Sequence, residues 1–241
     1  MSETSILPAS RQRGFPDEPD RDCRLCPRLA AFRDSFRATQ PEWHNAPVPM
    51  FGTADADLLV VGLAPGLRGA NRTGRPFTGD FAGSLLYETL IEYGFAAGAY
   101  GACRDDGLRL ISCAITNAVR CVPPQNKPAP SEITNCRRFL ASTLAAMPRI
   151  RAVVALGRVA HDSLIRALGR KPRAFPFAHG AEHVLATTQG LQEAAADSAA
   201  GAKIITLFDS YHCSRYNTNT GVLTQEMFRA VFAKARERLN E

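Results

Sequence analysis

The sequence has no apolar run long enough to cross a bilayer. Its first residues, "MSETSILPASRQRGFPDEPDRD", lack the continuous apolar segment of a secretory signal. A cytoplasmic protein with a flexible tail over residues 1–20 is therefore expected, with no membrane partner. Cysteines in a disulfide-framework count are missing too. There are seven, an odd number in a chain without a leader, which favours reduced thiols or metal ligands. Two common nucleotide-binding signatures are also absent. The glycine-rich stretch after "DLLVV" contains no lysine, so it is not a P-loop, and Gly62 and Gly66 do not form G-x-G-x-x-G. Internal repeats are lacking.

What is present suits one α/β domain over residues 21–241. A chain of 241 residues can bury a sizeable core. The net charge is +6, and the basic excess is mostly arginine, whose forked donors suit phosphates. Short apolar or β-branched runs predict strands at 57–64, 108–119, 150–157 and 203–209, with a shorter one near 182–186. Helical spacing predicts helices at 81–95, 131–147, 158–168 and 224–239, with Ser131 as an N-cap. Residues 191–202 read as a variable surface insertion. Alternating strands and helices imply a three-layer sandwich: a central, mostly parallel four-stranded sheet with helices on both faces. Ligands bind beyond the carboxyl ends of such strands. Three polar loops leave those ends, "APGLRGANRTGRPFTGD", "TNAVRCVPPQNKP" and "DSYHCSRYNTNTG".

The first loop uses two prolines and five glycines between Gly62 and Asp80. Phe77 stands three residues before Asp80, and an aromatic face beside a carboxylate suits a flat heterocycle attached to a sugar. Asp80 also precedes a helix, where it could serve as an N-cap. Phe77 could equally be a core residue, Asn117 a turn residue, and His212 structural. Cys23 and Cys26 form a C-x-x-C pair, and Cys121 and Cys136 bracket a proline-rich loop. Such a set holds either zinc or an iron–sulfur cluster. Cys103, Cys113 and Cys213 read as ordinary thiols; His44, His161, His179 and His183 receive no role.

"GLAPGLRGANRTGRPFTGD", "TNAVRCVPPQNKP" and "HCSRYNTNTG" together resemble the motifs of the uracil-DNA glycosylase superfamily. The match is nearest to its family 5, the type-b enzymes that carry an iron–sulfur cluster, and covers about residues 20–238. The resemblance implies a monomeric glycosylase of base excision repair. It would remove uracil, hypoxanthine and other deaminated bases from double- or single-stranded DNA in the bacterial cytoplasm, at the nucleoid. It assigns Asp80 and His212 to catalysis and Gly66, Phe77 and Asn117 to the flipped base. Asn71, Arg72, Ser84, Ser214, Arg215 and Tyr216 would meet DNA, the last two in a wedge. Cys23, Cys26, Cys121 and Cys136 would hold [4Fe-4S]. Where most of the superfamily has a polar residue before the loop proline, this chain has Ala64, as family 5 does. Cys213 stands where His-Pro-Ser is common, and loss of that proline is expected to loosen the wedge loop. Two other readings stay open: a non-catalytic, zinc-holding DNA-binding module, and a hydrolase of free nucleosides or nucleotides.

Overall fold

Strand residues of alternating direction divide the interior into two cores. In the computed structural model, which describes residues 17–186 and 203–241, Leu58 and Val60 pack into one core and Leu59 and Val61 into the other. Ala152 and Val154 oppose Val153 and Ala155 in the same way. A period of two with both faces apolar is what a sheet covered on both sides requires.

The elements in chain order are α1 (Pro27–Thr39), β1 (Phe51–Gly52), β2 (Leu58–Gly62), α2 (Ala70–Thr73) and α3 (Phe81–Glu92). There follow β3 (Ala96–Ala97), β4 (Arg109–Leu110), β5 (Cys113–Asn117), α4 (Pro130–Ala146), β6 (Ala152–Leu156) and α5 (Arg158–Ala167). The last are β7 (Glu182–Ala186), β8 (Ile204–Ser210), α6 (Arg215–Asn219) and α7 (Gln225–Asn240). The main sheet has the order β1-β5-β2-β6-β8-β7. Its four central strands are parallel, and β1 and β7 pair antiparallel at the edges. The expected four-stranded sheet is thus a six-stranded one with a parallel centre. Leu85 and Leu86 of α3 and Phe228 and Phe232 of α7 cover one face; Leu140 of α4 and Leu164 of α5 cover the other.

Three local expectations change. The run 108–119 is two strands, because Ser112 takes φ 48° and breaks the ladder while its hydroxyl donates to Asp57. Ser131 lies inside α4, which Pro130 opens; Glu132 accepts from the Ala129 N–H at 2.7 Å. Of the expected tail, Glu18 is an ion-pair partner of Arg120 at 2.6 Å, and the residues before 17 lie outside the described ones, as does 191–202.

The loop between β2 and α3 is fastened by a buried ion pair. Arg75 donates to both Asp106 oxygens, at 2.8 and 2.6 Å, and to the Thr78 hydroxyl at 2.7 Å. Its guanidinium lies 5.2 Å from the rings of both Phe51 and Tyr87. The pair holds the Asp106 carboxyl well below the usual carboxylate range, so its stabilising effect is present above that range and is lost as pH falls. Removing one partner leaves an uncompensated buried charge. Asp106→Ala is expected to lower unfolding free energy by about 3–5 kcal/mol in urea titrations, whereas Arg75→Met with Asp106→Leu should lose far less.

Candidate active site

β2 ends at Gly62, and only a residue without a side chain fits there. A Cβ would stand 2.4 Å from Asn117 Oδ1 and 2.4 Å from Phe77 Cζ. The missing methyl lets the Phe77 ring and the Asn117 amide close over the strand end. Phe77 itself takes φ 52°, a left-handed conformation that is costly for an aromatic residue. Two devices hold it. The Tyr100 hydroxyl donates to Phe77 O at 3.1 Å and lies 3.3 Å from the Gly79 N–H, which donates to it. Gly83 leaves room for the same carbonyl, since a Cβ there would lie 1.9 Å from it.

Asp80 is both an N-cap and a pocket residue. Its Oδ1 accepts from Gly83 N–H at 3.2 Å, opening α3. Its Oδ2 faces the glycines of the loop: a Cβ on Gly66 or Gly69 would come within 3.0 or 2.5 Å of it. Burial raises the Asp80 pKa, opposed in part by backbone N–H groups of Gly83 and Ala82. His212 follows β8, and its ring stacks on Phe77 with centroids 5.9 Å apart. Burial pushes its pKa down to about 4, so the imidazole is neutral at physiological pH. Asn117 ends β5; its Oδ1 is buried and has no hydrogen-bond partner among the described residues. Gly66, Phe77, Asp80, Asn117 and His212 line one pocket, with Ala64 in its wall. The pocket is lined by a carboxylate, a neutral imidazole, an amide and an aromatic face.

The outer residues divide. Ser214 caps α6 by accepting from Asn217 N–H at 3.3 Å, and Arg215 lies over Phe81 at 5.3 Å. Tyr216 is 74 % exposed. Ser84 is exposed in a groove shared with Thr218 and Asn219, and Arg72 is exposed with its Nε donating to Arg68 O. Asn71 does not face outward: it is buried and donates to Asn45 Oδ1 at 2.9 Å, so it braces the loop from inside and the expected DNA contact is withdrawn. Cys213, where a looser loop was expected, makes an anchoring contact. That thiol is buried, and its Sγ donates to Ala82 O at 3.5 Å, tying the loop to the start of α3.

Cys23, Cys26, Cys121 and Cys136 line a second cavity with Leu29, and all four are free thiols. Burial raises Cys121 and Cys136 to about 11 and 12, so these sulfurs need nearby positive charge to ionise. Donors already point at them: Arg120 N–H reaches Cys136 Sγ at 3.2 Å and Asn135 Nδ2 reaches Cys26 Sγ at 3.7 Å. Buried Arg33 approaches Cys121 Sγ at 3.9 Å. Among the described residues, no three of these sulfurs lie within 4.8 Å of one another. One tetrahedral zinc ion would require about 3.8 Å between sulfurs bound at its usual length.

A family model described as the uracil DNA glycosylase superfamily matches residues 49–236. The chain belongs to this superfamily. It is 43% identical over 221 residues to a type-5 uracil-DNA glycosylase of Thermus thermophilus, covering 89% of this chain and 92% of that protein. A type-5 uracil-DNA glycosylase of Pyrobaculum aerophilum is 37% identical, covering 89% and 88%. A type-4 uracil-DNA glycosylase of Archaeoglobus fulgidus is 38% identical over 114 residues, 47% of this chain and 49% of its own.

Within this superfamily member, sequence reasoning missed Gly62, Gly83 and Tyr100. A glycine in the first turn of an apolar helix was a usable signal for Gly83, but nothing local marks Tyr100 as the partner of Phe77 O. Gly83→Ala is expected to destabilise the protein by about 2 kcal/mol or more through backbone overpacking. Tyr100→Phe should remove about 1 kcal/mol, and exposed Ser84→Ala should stay within about 0.5 kcal/mol of the parent. Urea unfolding of the three variants checks the order.

Proposed function

We propose that this chain is a monofunctional DNA glycosylase that hydrolyses the N-glycosidic bond of uracil in DNA and leaves an abasic site. The observation that carries the reading is the convergence of Asp80, His212, Phe77 and Asn117 on one pocket at the carboxyl end of the parallel strands. The type-5 relatives named above support it.

The bond to be cut separates two charges. The sugar becomes oxocarbenium-like, and the base departs with the bonding electron pair. Asp80 Oδ2, left free by the cap, stabilises the cation and orients water toward C1′, taking up its proton. His212, neutral at working pH, donates an N–H to the base O2 as negative charge grows there. The Asn117 amide pairs with the base edge, and its unpartnered Oδ1 is a ready acceptor for an imide N–H. Phe77 stacks on the flipped base, and the backbone near Gly66 supplies a further donor. Extrusion of the nucleotide costs a few kcal/mol, repaid by stacking and edge contacts. Arg215 and Tyr216 fill the vacated gap, while Arg72, Ser84 and Ser214 contact the strand. The protein works as a monomer on double- or single-stranded DNA in the cytoplasm, and excision falls with salt as phosphate contacts are screened.

Ala64 places a methyl where a polar side chain would otherwise discriminate the base edge. Hypoxanthine and other deaminated bases are therefore also substrates. Cys23, Cys26, Cys121 and Cys136 hold a [4Fe-4S] cluster, supported by the convergence of four free thiols on one cavity. Its contribution is structural: it fastens the segment before α1 to the 121–136 loop.

Incubation with uracil- and hypoxanthine-containing duplexes followed by alkaline cleavage should give strand breaks with both; no break with either would remove the enzymatic reading. Asp80→Asn separates the two duties of the carboxylate. Asparagine caps as well as aspartate, so stability should be equal or greater at neutral pH. The raised Asp80 pKa makes the folded wild type lose stability as pH rises through that pKa, a loss asparagine does not share. Turnover should nonetheless drop by about 100-fold or more, and wild-type activity should fall in acid at a higher pH than for an ordinary carboxylate.

A further inference from the structure

Outside the pocket and the cysteine cavity, three donors from three elements converge in the interior. His161 on α5, His183 on β7 and Asp209 on β8 bring one ligand atom each to within 4.8 Å of one another. The His161 and Asp209 side chains are fully buried and His183 is 12 % exposed. Proton bookkeeping makes the cluster unusual. His161 Nε2 lies 2.8 Å from Phe175 O, and a carbonyl only accepts, so Nε2 carries the hydrogen. In the neutral ring Nδ1 then presents a lone pair, yet it faces Asp209 Oδ1 at 2.7 Å. Two lone pairs at that distance need a cation between them, either a second ring proton, which makes an imidazolium, or a metal ion. The other carboxylate oxygen, Oδ2, lies 3.3 Å from His183 Nε2.

We propose that the cluster binds a divalent transition metal of the zinc class in place of that proton, held by His161 Nδ1, His183 Nε2 and the Asp209 carboxylate. Two histidines and a carboxylate are a common zinc donor set, with a water or the second carboxylate oxygen as fourth ligand. Ligands of a tetrahedral zinc ion stand about 3.3 Å apart. The His183–Asp209 separation has this value, and the His161–Asp209 pair need open only slightly. The Phe175 carbonyl already fills the outer role expected for a ligating histidine, accepting from its second nitrogen and fixing the tautomer. Binding exchanges the bridging proton for the metal, so one proton leaves as the ion enters. The ion joins α5, the edge strand β7 and β8, three residues before His212. Its role is to stiffen the strand end that delivers the imidazole, not to touch the substrate.

The test uses the full-length, iron-loaded protein, dialysed against EDTA, with zinc chloride as the probe. Wild type is expected to take up one zinc per chain beyond its iron, with proton release and a rise in melting temperature. His183→Gln, on the half-open edge strand, should lose all three responses. Zinc K-edge absorption of the wild type should show a shell of nitrogen and oxygen only. No uptake by the wild type, uptake undiminished in His183→Gln, or a sulfur-containing shell would each overturn the proposal; the first would leave a proton as the bridging cation. Because none of these readouts measures base excision, they stand apart from the glycosylase reading.

Discussion

The hydrogen bond from Gly83 N–H to Asp80 Oδ1 fixes everything else about the pocket. It takes one carboxylate oxygen out of play and thereby aims the other at the loop glycines. An N-cap is ordinarily a stabilising detail at a helix start. Here it is also the aiming device, because the same helix start carries Gly83 under the Phe77 carbonyl and Ala82 against the Cys213 thiol. The carboxylate, the aromatic face and the loop bearing His212 are therefore referenced to a single turn of α3.

That turn is served by backbone positions that tolerate no side chain. Gly62 admits Phe77 and Asn117 over the end of β2, Gly69 admits Asp80, and Gly83 admits the strained Phe77 carbonyl. The left-handed Phe77 would relax if the loop could move. It cannot, because Arg75, two residues earlier, is locked to Asp106 and packed between Phe51 and Tyr87, and Tyr100 holds the Phe77 carbonyl. Strain at a pocket-lining residue is thus balanced by an ion pair and aromatic packing outside the pocket.

Much of this was legible in sequence, and for a physical reason. The parallel strands read clearly because strands covered on both faces are continuous apolar runs, and their order follows from short, regular crossovers. Motif residues at strand ends, Asn117 and His212, could be placed near one another on topology alone. The edge strand β1, two residues long, has no length in which to show a period. Asn71 misled because an asparagine in a polar loop looks exposed, and its burial depends on Asn45, 26 residues away. Asp80 posed a choice between cap and site that sequence could not resolve, since the two oxygens of one carboxylate answer to both.

The two titratable groups in the pocket are displaced in opposite directions by the same cause. Burial raises the Asp80 carboxyl and lowers the His212 imidazole, because each loses water around its charged form. An ordinary histidine beside a carboxylate would gain a proton and form an ion pair. Here the imidazole stays neutral and stacks on Phe77, which leaves the carboxylate without a countercharge. A half-buried negative charge balanced only by backbone N–H groups at the start of α3 is costly at rest and gains when a positive centre develops beside it. That is the condition under which binding strengthens toward a cationic transition state rather than toward a neutral ground state. In the mechanism proposed above a protonated histidine would cancel that difference, so the low His212 pKa carries as much of that proposal as the carboxylate itself.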